Sequence, residues 1–207
     1  MGWPIKRVDL GEVAYHQALA DMSNWVQERQ QGLAEDRLFL LSHPPIVTYG
    51  PRTRPEDLPT DLPAVPADRG GFATYHGPGQ LVVDVKARGP VDIVRWLETG
   101  LVAALEQLGF PAVRRDTPAG SSSLAGVWTP DHRKVASIGL RIRRGVTSHG
   151  FALNVDPDMA AFRHFTACGL ADVTMVSLAE LAAEQRRETP SDAGVRDAVF
   201  AALTAGS

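Results

Sequence analysis

Apolar positions recur at helical spacing from Tyr15 to Gln31, with Leu19, Met22 and Val26 on one stripe and Gly32 following as a stop, so an amphipathic helix is predicted there. Arg37 to Ser42 is a short apolar run bounded by His43-Pro44-Pro45 and reads as a strand followed by a loop. Residues 51 to 66 carry Pro51, Pro55, Pro59, Pro63 and Pro66, too many for a helix or a central strand, and predict an ordered surface loop. Phe72 to Tyr75 and Leu81 to Val85 read as strands joined through Gly77-Pro78-Gly79, a hairpin-like punctuation. Beyond Pro90, Ile93, Leu97, Leu101, Leu105 and Leu108 return to helical spacing before Gly109.

Between Gly126 and Asn154 the chain turns to β-branched and small residues, and two strands fit, Val135 to Arg143 and Val146 to Val155, around a turn at Gly145. Ser177 and Glu180 form a capping box for a helix from Leu178 to Gln185, and Ser191 precedes a last helix reaching about Leu203. Strands in the middle, with helices between and at both ends, predict an α/β or α+β fold with one mixed sheet in a single domain spanning residues 1–207.

Composition narrows the class. With 44% hydrophobic and 22% charged residues over 207 positions, the chain can bury a core and is not a disordered one. No apolar run approaches the roughly 20 residues needed to span a bilayer, and Met1 to Lys6 lack the apolar stretch of a secretory signal, so a cytoplasmic location and no membrane partner are expected. The formal charge of −3 argues against nucleic-acid binding as a main activity. Arg133, Lys134, Arg141, Arg143 and Arg144 nevertheless cluster without an intervening acid, as either a charge-protected strand edge or a docking face for an acidic partner.

Cys168, the only cysteine, has no internal disulfide partner and needs another explanation. Gly169 after it permits a sharp turn that could gather backbone N–H groups, that of Gly169 among them, into an oxyanion hole; a buried structural cysteine is the plain alternative. A free thiol with a pKa of about 8.5 is only slightly ionised at neutral pH, so a reactive one needs a helper. Six histidines, His164 close by among them, are candidates. Lysine is the other option, since a partly buried amine beside another cation can act as a base and its protonated form stabilises thiolate. Lys134 opens an apolar strand beside Arg133, a setting that Lys6 and Lys86 lack, although an exposed strand-end lysine would read the same way. The run Arg69-Gly70-Gly71-Phe72-Ala73-Thr74-Tyr75-His76-Gly77-Pro78-Gly79-Gln80 suits close backbone approach to a ligand, yet a strand follows it, so it is neither a P-loop nor a dinucleotide fingerprint. Gly120-Ser121-Ser122-Ser123-Leu124 misses the G-x-S-x-G elbow by one residue, and no His/Cys spacing forms a metal site.

Together these blocks resemble the lipoyl(octanoyl) transferases of lipoate biosynthesis, also called lipoate-protein ligase B. The resemblance covers roughly residues 37 to 185. It rests on His43-Pro44-Pro45-Ile46-Val47-Thr48-Tyr49-Gly50, on Arg69 to Gln80, on Gly126-Val127-Trp128 with Lys134-Val135-Ala136-Ser137-Ile138-Gly139, and on His149-Gly150-Phe151-Ala152-Leu153-Asn154 ahead of Ala167-Cys168-Gly169. It implies the fold of the biotin and lipoate ligase catalytic domain, and transfer of octanoyl from acyl carrier protein through a thioester on Cys168 to a lysine of a lipoyl domain, in 2-oxoacid dehydrogenases or the glycine-cleavage H protein. By position Cys168 matches the family's acyl-thioester cysteine and Lys134 the lysine that lowers its pKa. The implied substrate-contacting segments are Arg69 to His76, Ser137 to Gly139 and Gly150 to Ala152. No cofactor and no metal are implied, because thioester exchange is nearly isoenergetic and aminolysis of a thioester runs downhill.

Val176 stands where the family usually has threonine, and Pro51 where arginine is common. The first is expected to touch a hydrogen bond at a helix start and the second carrier docking. Three other readings stay beside the transferase, one of them a cysteine thioesterase that would use the same pair and release the acid to water. An ATP-dependent lipoate or biotin ligase would share the fold without needing Cys168, and an acyl-binding module would use Cys168 only for packing.

Overall fold

Alternation along the central strands decides the layers. In β2 (Asp36–Ser42), Leu38 and Leu40 enter one core while Phe39 and Leu41 enter another; in β6 (Gln80–Lys86), Leu81, Val83 and Val85 separate from Val82 in the same way. Successive side chains of a strand point to opposite faces, so this period-2 split requires a sheet covered on both sides. The computed structural model describes residues 5–86, 93–119, 123–170 and 173–205. Pro90 and residues 120–122 of the near-miss elbow lie outside the described residues.

The large sheet has the order β1 (Ile5–Glu12), β2, β6, β9 (Val146–Asn154), β8 (Lys134–Arg143), β7 (Gly126–Trp128). The β1–β2 pair is parallel and the other pairs are antiparallel, so the sheet is mixed. A second sheet, in the order β4 (Ala64–Pro66), β3 (Ile46–Tyr49), β5 (Thr74–His76), corrects the expectation of one sheet. Gly77 to Gly79 therefore carries the chain from the small sheet to the large one and does not close a hairpin between β5 and β6. The proline-rich stretch supplies β4 only as an edge strand, which tolerates Pro66.

One face of the large sheet packs on α2 (Ile93–Gln107), α3 (Leu178–Glu184) and α4 (Asp192–Ala205), through Leu97, Leu101 and Leu105 of α2 and Val195, Val199 and Leu203 of α4. The other face receives α1 (Tyr15–Gln30). The buried residues of α1 are Tyr15, Ala18 and Met22, so the helix keeps Met22 of the expected stripe but is rotated away from Leu19 and Val26. Trp25 stacks on Phe39 with centroids 3.8 Å apart and sets that rotation.

Candidate active site

Three strands lay small side chains in one row on the α1 side of the large sheet. Val82 pairs with Ala152, and Ala152 with Ser137. Next to that row Asp84 pairs with Gly150, and Gly150 with Gly139. Over these positions the glycine-rich loop is pinned by the Gly70 N–H to the Leu140 carbonyl at 3.0 Å, leaving a cavity of about 250 Å³ between sheet, loop and α1. Arg69, Gly70, Gly71, Phe72, Thr74, His76, Ser137, Ile138, Gly139, Gly150, Phe151 and Ala152 border it, as do Lys134 and Cys168. Ile138 and Phe151 do so from a parity that turns them toward the α2 core. Ala73 and Tyr75 do not border it: they alternate with Thr74, and Tyr75 faces Phe162 edge-on at 5.6 Å.

Strand parity alone would send Lys134 to the opposite face from Ser137. Between Val127 and Trp128 the β7–β8 register slips by one residue, with Val127 opposite Ala136 and Trp128 opposite Lys134. Val135 is the extra residue of a β-bulge, and such bulges re-aim side chains. Lys134 thereby reaches the cavity, 2% exposed, with its Nζ 5.0 Å from the Trp128 ring centroid. Gly126 makes room: a Cβ there would stand 2.8 Å from the Lys134 Cε and 2.2 Å from the Ala136 carbonyl oxygen, at φ +139°. Among the described residues no carboxylate pairs with Lys134.

Cys168 sits in a one-turn 3₁₀ segment, Ala167–Gly169, with φ 58° and ψ 14°. A left-handed non-glycine residue costs roughly 1–2 kcal/mol. Its N–H donates to the Ala73 carbonyl at 2.7 Å, and Phe72 packs so closely on Gly169 that a Cβ there would meet the ring at 2.7 Å. The Cys168 sulfur lies 3.4 Å from the Ser137 Oγ. The Gly169 N–H, expected as an oxyanion donor, is directed at the Thr166 carbonyl at 3.3 Å, so both amides of the turn are engaged within the fold.

Arg69, 8% exposed, binds protein through both terminal nitrogens: Nη1 donates to the Gly70 and Phe72 carbonyls at 3.0 Å, and Nη2 to the Thr48 carbonyl and hydroxyl at 2.8 Å. It holds the loop in shape. Burial pulls its pKa below the ordinary value, while negative charge on Tyr15 or Cys168 would act the other way. His76 is enclosed between the Gln80 Oε1 at 2.8 Å and the Thr48 hydroxyl at 3.2 Å, and burial, with His43 and Arg69 nearby, lowers its pKa to about 3. It is a satisfied neutral histidine.

The basic run divides between buried, ion-paired and exposed residues, with Arg143 and Arg144 exposed. Lys134 is buried, Arg133 pairs with Asp131 and Glu184, and Arg141 pairs with Asp68. Val176 contributes backbone hydrogen bonds and a buried side chain, and the capping box of Ser177 and Glu180 is complete beside it, so this departure leaves the helix start intact. The sequence reading missed Tyr15, Ala18 and Met22 of α1, His43, and Val82 and Asp84 of β6 as wall residues. Asp84 carried a signal, being a carboxylate at an inward position of an otherwise apolar strand.

Among the described residues no group of His, Cys, Asp and Glu could hold a metal ion, and no helix is long and apolar enough to cross a membrane. Residues 14–204 match the model of the lipoyl protein ligase A/B catalytic domain. The chain is 47% identical to an octanoyltransferase of Frankia casuarinae, covering 86% of this chain and 85% of that protein, and 42% identical to one of Rhodococcus opacus, covering 97% and 81%. In three dimensions it is similar to a putative lipoate protein ligase of Thermoplasma acidophilum with bound lipoic acid, at a TM-score of 0.74 and 17% identity over 98% of this chain and 85% of that one. The sheet order, the cavity and these likenesses agree: the chain belongs to the lipoyl protein ligase A/B catalytic domain family.

Proposed function

We propose that the chain is an octanoyltransferase that carries octanoyl from the thioester of acyl carrier protein to a lysine of a lipoyl domain, by way of Cys168. The observation that carries this reading is the common cavity: the sole cysteine and a lysine 2% exposed, distant in sequence, border one 250 Å³ space beside a row of small residues. The curated relatives named octanoyltransferase support the acyl group chosen.

In the first half-reaction Lys134 takes the thiol proton, the sulfur of Cys168 attacks the donor carbonyl, and the carrier thiolate leaves with that proton. In the second, the acceptor amine attacks the Cys168 thioester, gives up a proton to Lys134, and the cysteine departs as the leaving group and is reprotonated. Ser137, with its hydroxyl 3.4 Å from the sulfur, supplies a donor beside the reacting carbon. The row Ser137, Ala152, Val82 crosses two strand spacings, roughly 10 Å, about the reach of an extended eight-carbon chain. Each buried CH₂ favours binding by about 0.8 kcal/mol. The cytoplasm, where acyl carrier and acceptors meet, is the proposed location.

Incubation with octanoyl-acyl carrier protein and no ATP tests the reading. Intact-mass analysis should find one octanoyl group on the wild-type chain and none on the unmodified Cys168→Ser chain, and a lipoyl domain should discharge it. Transfer that requires ATP, or that persists in Cys168→Ser, would overturn it.

A further inference from the structure

Buried polar side chains cross from the glycine-rich loop to the lysine strand in one unbroken file. Arg69 donates to the Thr48 hydroxyl at 2.8 Å, and that hydroxyl donates to the His76 Nε2 at 3.2 Å. The His76 Nδ1 donates to the Gln80 Oε1 at 2.8 Å, the Gln80 Nε2 to the Asn154 Oδ1 at 2.9 Å, and the Asn154 Nδ2 to the Val176 carbonyl at 3.2 Å. The Val176 N–H then donates to the Lys134 carbonyl at 3.0 Å, and the Lys134 N–H to the Thr174 carbonyl at 2.9 Å. Every donor points the same way, which fixes one tautomer of His76 and one orientation of each amide. Thr48, Gln80 and Asn154 are at most 3% exposed. Groups so buried are costly to leave unpaired, so the file behaves as a unit.

Its route explains what it holds. Thr48 and His76 belong to the small sheet, Gln80 and Asn154 to the large one, and Val176 to the segment that follows the cysteine turn. The turn itself hangs from the carbonyl of Ala73, the residue before β5, while the backbone of Lys134 is clamped between Thr174 and Val176. The file therefore ties the support of Cys168 to the support of Lys134 across two sheets that share no strand. We infer that Gln80 and Asn154 are positioning residues that set the placement of Lys134 against Cys168, though neither bears on the reacting atoms itself. This rests on the reading of Cys168 and Lys134 as the reacting pair.

The single cysteine makes the test clean, because alkylation by iodoacetamide reports on Cys168 alone. Asn154→Asp keeps the acceptor for Gln80 and loses the donor to Val176; Gln80→Glu cuts the adjoining link and serves if the first variant folds poorly. The alkylation rate against pH is measured on wild type, on the variants and on Lys134→Ala, together with kcat and KM for octanoyl-acyl carrier protein. The expected result is a displaced alkylation midpoint in the file variants, with kcat lower by about 10- to 100-fold, as an ångström-scale misplacement gives, and KM within about twofold. A lower melting temperature with the wild-type alkylation profile and kcat would make the two residues purely structural and overturn the inference. Identical profiles for wild type and Lys134→Ala would instead overturn the pairing of Cys168 with Lys134, and the inference with it.

Discussion

Gly126 illustrates how one hydrogen atom in place of a methyl group serves the site. The residue is at φ +139°, with the Lys134 side chain passing over it. Gly126→Ala should therefore cost at least about 1 kcal/mol of stability, read from the urea midpoint. It should also slow single-turnover acylation by about tenfold or more through displacement of the amine. An unchanged acylation rate would mean that Lys134 does not need that path. At this scale the sequence was informative where chemistry is rare, as at the sole cysteine, and silent where geometry decides. Nothing in the letters around Arg69 says that its guanidinium serves four backbone and hydroxyl acceptors, nor that the Gly169 N–H turns back to Thr166.

Among the elements, strongly periodic ones were legible: α2, β8, β9 and the capping box of α3 lie where spacing predicted. Those missed are short or polar. β1 carries Lys6, Arg7 and Asp9, charges that suit an edge strand, and its alternation is broken by an irregular register between Asp9 and Gly11. β3, β4 and β7 have three or four residues each, too few to show a period. Helix α1 was found, yet its rotation was set by Trp25 on Phe39, a tertiary contact. That rotation brings Ala18 against Val82 and Ala152, at the far end of the row that starts beside Cys168. Ala18→Leu should shorten the acyl group accepted, lowering kcat/KM for octanoyl by about tenfold or more relative to hexanoyl, since overpacking of one side chain costs typically 1–3 kcal/mol. A competition assay with the two thioester donors reads this directly. Equal loss on both would place the end wall elsewhere.

For the molecule as a whole, buried neutral histidines set the acid limit. His76 titrates at about 3 in the fold against an ordinary 6.5, so between those values the unfolded chain binds the extra proton. Its contribution is complete above pH 6.5 and is lost as pH falls toward 3. Between pH 7 and pH 5 the loss is about 2 kcal/mol, and His43, lowered by its own burial, adds in the same direction. Urea midpoints should fall over that interval, and less steeply in His76→Gln; an equal fall in both would assign the acid sensitivity to other groups. The class of fold was legible from strands flanked by helices, but the division into two sheets was not, because pairing partners are chosen across the chain and not along it. The bulge at Val135 shows how far such a choice reaches. The same β8 run in strict alternation, with no bulge to absorb Val135, would swing the amine into packed hydrocarbon against the helices, so the capacity for chemistry is stored as a miscount between neighbouring strands, an odd–even offset that neither strand carries alone.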